Sequence, residues 1–320
     1  MRTPRFIELH RPDDQALAAE AAQGLLRDPA AVSPKFFYDA LGSRLFDAIT
    51  ETAEYYPTRT EAAIFTAHGQ AIARAARQAT GGAAALVDLG AGNCAKAARL
   101  FGLLEPRRYV AVDISVEFLR QALACLQREH PAVEMVGVGV DFSSQLALPP
   151  QLIDDRALVF YPGSSIGNFD PAQALRLLRE ARATAAGGAL LIGVDLVKDA
   201  DVLERAYDDP LGVTAAFNLN LLLHLNRLLQ ADFDVRQWQH VALFDPHASR
   251  IEMHLQAREA LVVRWGGGRR AFAAGERLHT ENSWKWTPAG FEALLREAGF
   301  REVQVWSDAQ GWFAVMLASG

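Results

Sequence analysis

Cysteine is scarce: Cys94 and Cys125 are the only two in 320 residues. That excludes a disulfide framework and a Cys-rich metal site. Long apolar runs are missing as well. None approaches the roughly 18 residues that a transmembrane helix needs, so no membrane association is expected. Basic charge is short, with 32 Lys plus Arg against 38 Asp plus Glu and a formal net charge of −6. Nucleic acid and anionic membrane surfaces are therefore poor partners. The opening Met1-Arg-Thr-Pro-Arg-Phe-Ile-Glu lacks the apolar stretch of a signal peptide, so a cytoplasmic protein is expected. No repeat or low-complexity segment is evident. What remains is an ordinary globular composition, half hydrophobic and 22% charged, long enough for one large or two moderate domains.

From about Asp13 to Gln78 apolar residues recur at helical intervals, with breaks at Ser33-Pro34 and Tyr56-Pro57, because a residue before proline disfavours the α region. The texture changes near Ala83. Strands are expected at 85–90, 109–113, 133–140, 157–161 and 189–194, with helices after the first strand, at 116–127 and at 171–184. That alternation predicts a parallel sheet covered on both faces. It stops after Asp195. A Leu- and Asn-rich helical region follows to about 231, then alternating strands at 250–257 and 261–265 turned by Gly266-Gly267-Gly268. A helix at 288–298 and strands at 301–307 and 312–318 bring the α/β texture back. The chain leaves a sheet, builds a second unit and returns to finish the sheet.

Val87-Asp88-Leu-Gly90-Ala-Gly92 ends the first sheet strand and opens a helix. Glycines there let a ligand approach the backbone at a helix N-terminus. Asp113 ends the next strand 23 residues after Gly90, where a carboxylate can accept both hydroxyls of a ribose. Gly90-x-Gly92-x-x-Ala95 also fits a loose dinucleotide pattern, so NAD competes with S-adenosylmethionine (SAM). Three features favour SAM. Asp88, two residues before the first glycine, can face the methionine moiety. Asp141-Phe142 follows the third strand and can bond the adenine amino group and pack on its ring. The C-terminal strand pair resembles the hairpin that ends a class I methyltransferase sheet. Lys96 can reach the SAM carboxylate.

Several longer strings are more specific. Ser33-Pro-Lys-Phe-Phe-Tyr38-Asp-Ala-Leu-Gly-Ser43 and Glu54-Tyr55-Tyr56-Pro57-Thr-Arg-Thr-Glu61 come first, followed by Gly163-Ser-Ser-Ile-Gly-Asn168 and Asp195-Leu-Val-Lys-Asp199. Ala206-Tyr207-Asp-Asp209, Gly212-Val-Thr-Ala-Ala-Phe-Asn218 and Glu281-Asn-Ser283-x-Lys285 complete the set. In order and over nearly the whole chain, they resemble the histidine-specific SAM methyltransferases. The resemblance implies a Rossmann-like class I methyltransferase domain (57–197 and 284–320). It also implies a second, α+β substrate-binding domain built from N-terminal helices and a central insertion (1–56 and 198–283). The implied reaction is Nα-methylation of free L-histidine, up to three times, to hercynine, the first step of ergothioneine biosynthesis. A monomer is expected.

By the same resemblance, Asn168 accepts from the substrate amine, Tyr55 and Tyr207 hold its carboxylate, and Tyr38 orients the partly methylated nitrogen. Glu281 and Ser283 hold the imidazole; alternating by two, they share one face of a strand. Two other readings stand beside this one: methylation of another amino acid such as tryptophan or tyrosine, and a non-catalytic SAM-binding protein. His240, His247 and His254 recur every seven residues but straddle a proline-containing loop, so no metal is expected. Two departures from the family pattern are the bulkier, less polar turn at Cys94 and the tryptophans 284 and 286 that flank Lys285.

Overall fold

A computed structural model describes residues 2–9, 14–82, 84–142, 145–153 and 156–320; Met1 and Asp13 lie outside them. The chain divides into two compact units. The first holds Pro57–Val197 and Lys285–Gly320 together with the N-terminal strand; the second holds Lys198–Trp284 and the N-terminal residues up to Tyr56.

The first unit is built on an eight-stranded sheet. Its spatial order is Arg5–Glu8, Glu134–Gly139, Arg108–Asp113, Ala85–Leu89, Ala157–Tyr161, Ala189–Asp195, Phe313–Ser319 and Glu302–Ser307. Neighbours are parallel through Ala189–Asp195. Phe313–Ser319 then enters antiparallel and pairs with Glu302–Ser307. The central strands are apolar on both faces because both are covered. Val87, Leu89, Val110, Val112 and Val136 pack under the helices Pro171–Ala185 and Pro288–Glu297. Leu86, Tyr109, Ala111 and Phe160 pack with Ile64 and Ile72 of the helix Tyr56–Thr80 and with Leu119 and Leu123 of Val116–Glu129. Each such aliphatic side chain stabilises the unit by roughly 1.5–3 kcal/mol. Tyr56 and Pro57 open their helix, where proline is tolerated because its missing N–H would have no partner.

Two expectations need correction. The helix after the glycine turn is split into Ala95–Ala98 and Phe101–Leu104. The N-terminal residues, expected with the second unit, contribute the edge strand Arg5–Glu8 to the sheet. Arg5 pairs with Glu134, and the Arg120 guanidinium covers the Phe6 ring. Four residues are too few to show a period of two.

The second unit combines the helices Asp14–Leu26, Ala40–Thr50, Ala200–Tyr207 and Val213–Leu229 with a three-stranded antiparallel sheet. Arg250–Ala257 is central, between Trp238–Asp245 and Arg277–Trp284. Leu261–Trp265 turns back on Gly268–Phe272 as a separate hairpin. A bulge interrupts the register between His279 and Glu281. The extra residue, Thr280, is buried and its hydroxyl donates to the Met253 carbonyl. The bulge leaves His279 opposite His254 and Glu281 opposite Met253, so Glu281 and Ser283 share a face that His279 does not.

Candidate active site

The strand Ala85–Leu89 is the switch point of the first unit: one neighbouring strand follows it directly and the other lies two strands further along the chain. In open α/β sheets ligands bind in the crevice at such a point, beyond the carboxyl ends of the strands. Asp88 sits there, 1% exposed. Its Oδ2 accepts from the Tyr109 hydroxyl at 2.6 Å, while its buried Oδ1 has no hydrogen-bond partner. Burial raises its pKa from 3.8 to about 7, against the opposing pull of the Tyr109 hydrogen bond.

Beyond Asp88 the backbone takes the left-handed conformation at Gly90, Gly92 and Cys94. At Gly90 a side chain would be strained at φ +69°, and it would meet the Phe142 ring at 3.8 Å. Cys94 accepts a left-handed conformation but turns its side chain into the core, and burial pushes its thiol up to about 12. The bulk expected at this turn therefore faces inward. Asp113 ties the turn down: Oδ2 accepts from Gly92 N–H and Oδ1 from Ser115 N–H, both at 2.8 Å. Burial raises the Asp113 pKa, and these N–H bonds oppose the rise. Phe142 lies edge-on to Tyr161, centroids 5.8 Å apart, and Asp141 precedes it, partly exposed. An orphaned buried carboxylate oxygen, an open glycine cradle and an acid on the next strand fit the amino-acid and ribose parts of SAM. Lys96, expected to reach the SAM carboxylate, has its Nζ paired with Glu61 Oε2 at 2.8 Å.

The raised Asp88 pKa has a consequence for stability. The fold favours its protonated form, so that contribution is complete below the ordinary carboxylate range and is lost as pH rises through about 7. The loss runs at about 1.4 kcal/mol per pH unit. Unfolding midpoints between pH 4 and 7 are expected to fall more steeply for wild type than for Asp88→Asn. Parallel curves would mean that Asp88 ionises normally in the fold.

Asn168 closes the 3-10 turn Ser165–Asn168, which follows the strand Ala157–Tyr161. The next helix starts at once, with Asp170 and Gln173 forming a capping box, so Asn168 is held between two fixed elements. At the start of this loop Gly163 N–H donates to Glu61 Oε1, and Ser164 Oγ accepts from Asp195 N–H. Asp195 also pairs with Lys285 at 2.8 Å, with both side chains essentially inaccessible. Removing either charge would strand the other, at a cost of roughly 3–5 kcal/mol.

In the second unit the sequence-derived residues fall into one cluster. Tyr38 lies edge-on to Phe46 and Phe217, Phe46 to Tyr55, and Tyr55 to Tyr207, with centroids 5.9–6.3 Å apart. The Tyr207 hydroxyl donates to Ser283 Oγ at 2.7 Å. Tyr55, Tyr207, Glu281 and Ser283 are all buried. Tyr207 and Ser283, expected at opposite ends of the substrate, thus bond each other. A ligand engaging both hydroxyls has to exchange that bond for its own.

The sequence assigned no role to Tyr109, Glu61, the Asp195–Lys285 pair, or His240 with Asn218. The Asn218 amide donates to the His254 carbonyl and to His240 Nδ1. His240 Nε2–H then donates to the Tyr207 carbonyl at 2.8 Å. This supports the tyrosine from behind. Glu61, Asp195, Asn218 and Lys285 all lie inside the strings that carry the resemblance, and Lys285 also continues the Glu281-x-Ser283 alternation. His240 and His254 point to opposite faces of their sheet, because His240 pairs with Leu255. Among the described residues no group of three His, Cys, Asp or Glu is placed to hold a metal ion, and no helix is long and apolar enough to cross a membrane.

The strand order, with its reversed penultimate strand and a glycine turn after the switch-point strand, is that of a class I methyltransferase. The chain belongs to the histidine-specific, SAM-dependent methyltransferase family, whose model matches residues 17–320. It is 43% identical to the histidine N-alpha-methyltransferase of Mycolicibacterium smegmatis over 311 residues, 95% of each protein. Identity to the enzyme of that name from Mycobacterium tuberculosis is 42% over the same shares. The ergothioneine biosynthesis protein 1 of Schizosaccharomyces pombe is 27% identical over 277 residues, which are 83% of this chain and 36% of that protein.

Proposed function

We propose that this enzyme methylates the α-amino nitrogen of free L-histidine with SAM, up to three times, giving hercynine at the start of ergothioneine biosynthesis. The observation that carries the reading is the buried pair Glu281 and Ser283 on one strand face, with the buried Tyr207 hydroxyl, from the end of the helix Ala200–Tyr207, bonded to Ser283. It offers a carboxylate and two hydroxyls where an apolar side-chain pocket would offer none. Glu281 accepts from one imidazole nitrogen and Ser283 bonds the other; Tyr207 and Tyr55 donate to the carboxylate. Asn168 accepts from the amine and aims its lone pair, and Tyr38 orients the nitrogen as methyl groups accumulate. Asp88, Gly90, Gly92, Lys96, Asp113, Asp141 and Phe142 hold SAM, which supplies a methyl group on a positively charged sulfonium. The protein's task is then positioning and charge management. A neutral amine is required, and a nearby positive charge favours its deprotonated form.

The protein works as a cytoplasmic monomer on a free amino acid, without metal, nucleic acid or membrane. Activity is expected to survive EDTA; abolition by EDTA and restoration by a divalent ion would contradict the metal-free mechanism. The substrate is tested by incubating enzyme and SAM with the twenty free amino acids and following masses. Histidine alone should gain three methyl groups; a gain on tryptophan or tyrosine instead would transfer the reading to that substrate. No gain on any of them would leave a SAM-binding protein.

A further inference from the structure

Glu61 carries a charge into the interior of the first unit, on the helix Tyr56–Thr80, and is 2% exposed. Both its oxygens are used. Oε1 accepts from Gly163 N–H and Oε2 from Lys96 Nζ, each at 2.8 Å. Two glycines make room for the pair. A Cβ on Gly193 would stand 2.1 Å from Glu61 Oε1, and one on Gly163 would stand 2.6 Å from Lys96 Nζ. The two strands that carry or precede these glycines, Ala189–Asp195 and Ala157–Tyr161, are neighbours in the sheet. Glycine at both positions leaves the ion pair the space it now occupies. Lys96, by contrast, keeps a third of its side chain exposed, and its ammonium carries three N–H groups, of which the bond to Glu61 takes one. A buried ion pair seldom adds net stability over an apolar replacement, so stability alone is a weak account of this one.

We infer that Glu61 is a positioning residue joining the two halves of the reaction: one oxygen aims Lys96 at the SAM carboxylate, and the other fixes the Gly163 end of the loop that presents Asn168. The inference rests on the roles of Lys96 and Asn168 proposed above. It separates two effects by chemistry. Glu61→Gln keeps an amide oxygen for Gly163 N–H but loses the counter-charge of Lys96. Glu61→Met, of similar shape, loses both.

The experiment combines SAM titration by calorimetry with kcat for histidine at saturating SAM and unfolding midpoints for each variant. Glu61→Gln should weaken SAM binding about tenfold, the loss of one charge-assisted hydrogen bond, with kcat within about threefold of wild type. Glu61→Met should weaken SAM binding as much and lower kcat by at least about tenfold further. The double variant Glu61→Gln/Lys96→Met strands no buried charge and should fold. It should bind SAM no more weakly than Lys96→Met alone, since Glu61 acts on SAM through Lys96. If Glu61→Met does not fold, Glu61→Gln and the double variant still decide the cofactor arm. Wild-type SAM affinity and kcat in the folded Glu61 variants would make the residue merely structural. An equal fall of kcat in Gln and Met would overturn the link to the Asn168 loop. SAM affinity is read without histidine, so a wrong substrate would leave that half of the result standing.

Discussion

Glu281→Ala should lower kcat/KM for histidine by about 1–3 kcal/mol of transition-state stabilisation, the usual cost of leaving a buried polar group unpaired. Glu281 is buried on the sheet face it shares with Ser283, just beyond the bulge at Thr280. The variant pocket is larger and less polar, so tryptophan, whose ring needs volume and apolar contact, should be penalised less than histidine or should gain. SAM affinity serves as the control and should not change. The measurement is kcat/KM for both amino acids in wild type and variant. An equal fall for the two would make Glu281 part of the scaffold and remove the imidazole site from this strand.

Asp113→Ala should reduce SAM affinity by roughly 1.5–3 kcal/mol through loss of charge-assisted hydrogen bonds to the ribose. A second effect acts in the same direction. The carboxylate also anchors the glycine turn through Gly92 N–H and Ser115 N–H, and the variant leaves both donors without their acceptor. The turn is expected to lose its shape in addition to the proposed ribose contact, which puts the effect in the upper part of that range. Calorimetry with SAM checks it. Unchanged affinity would take Asp113 out of the cofactor site.

The sheet was legible because its central strands are short apolar runs buried on both faces, most of them closing at a glycine or an acid. Asp88 could be found from its place before Gly90. Its bond to Tyr109 could not, since that tyrosine reads as one more apolar residue of the next strand. The edge strand Arg5–Glu8 escaped because four residues carry no period, and what docks it is a ring on a glycine of the neighbouring strand. Glu61 ends the string Glu54–Glu61 yet reads there like any helix-surface acid. Its burial follows from the absence of side chains at Gly163 and Gly193, which are 102 and 132 positions away along the chain. The alternation of Glu281 and Ser283 was visible. The bulge that turns His279 to the other face was not, because an inserted residue leaves no mark in a sequence of mixed polarity.

The central claim is that the nitrogen methylated is the α-amine of free histidine. Its most direct test is a reaction with SAM carrying a deuterated methyl group, followed by fragmentation of the product in the mass spectrometer. The expected product is histidine bearing three labelled methyl groups, and it should release labelled trimethylamine on fragmentation, leaving an unlabelled imidazole acrylate. Label retained on the imidazole ring, or an unmodified histidine, would contradict it.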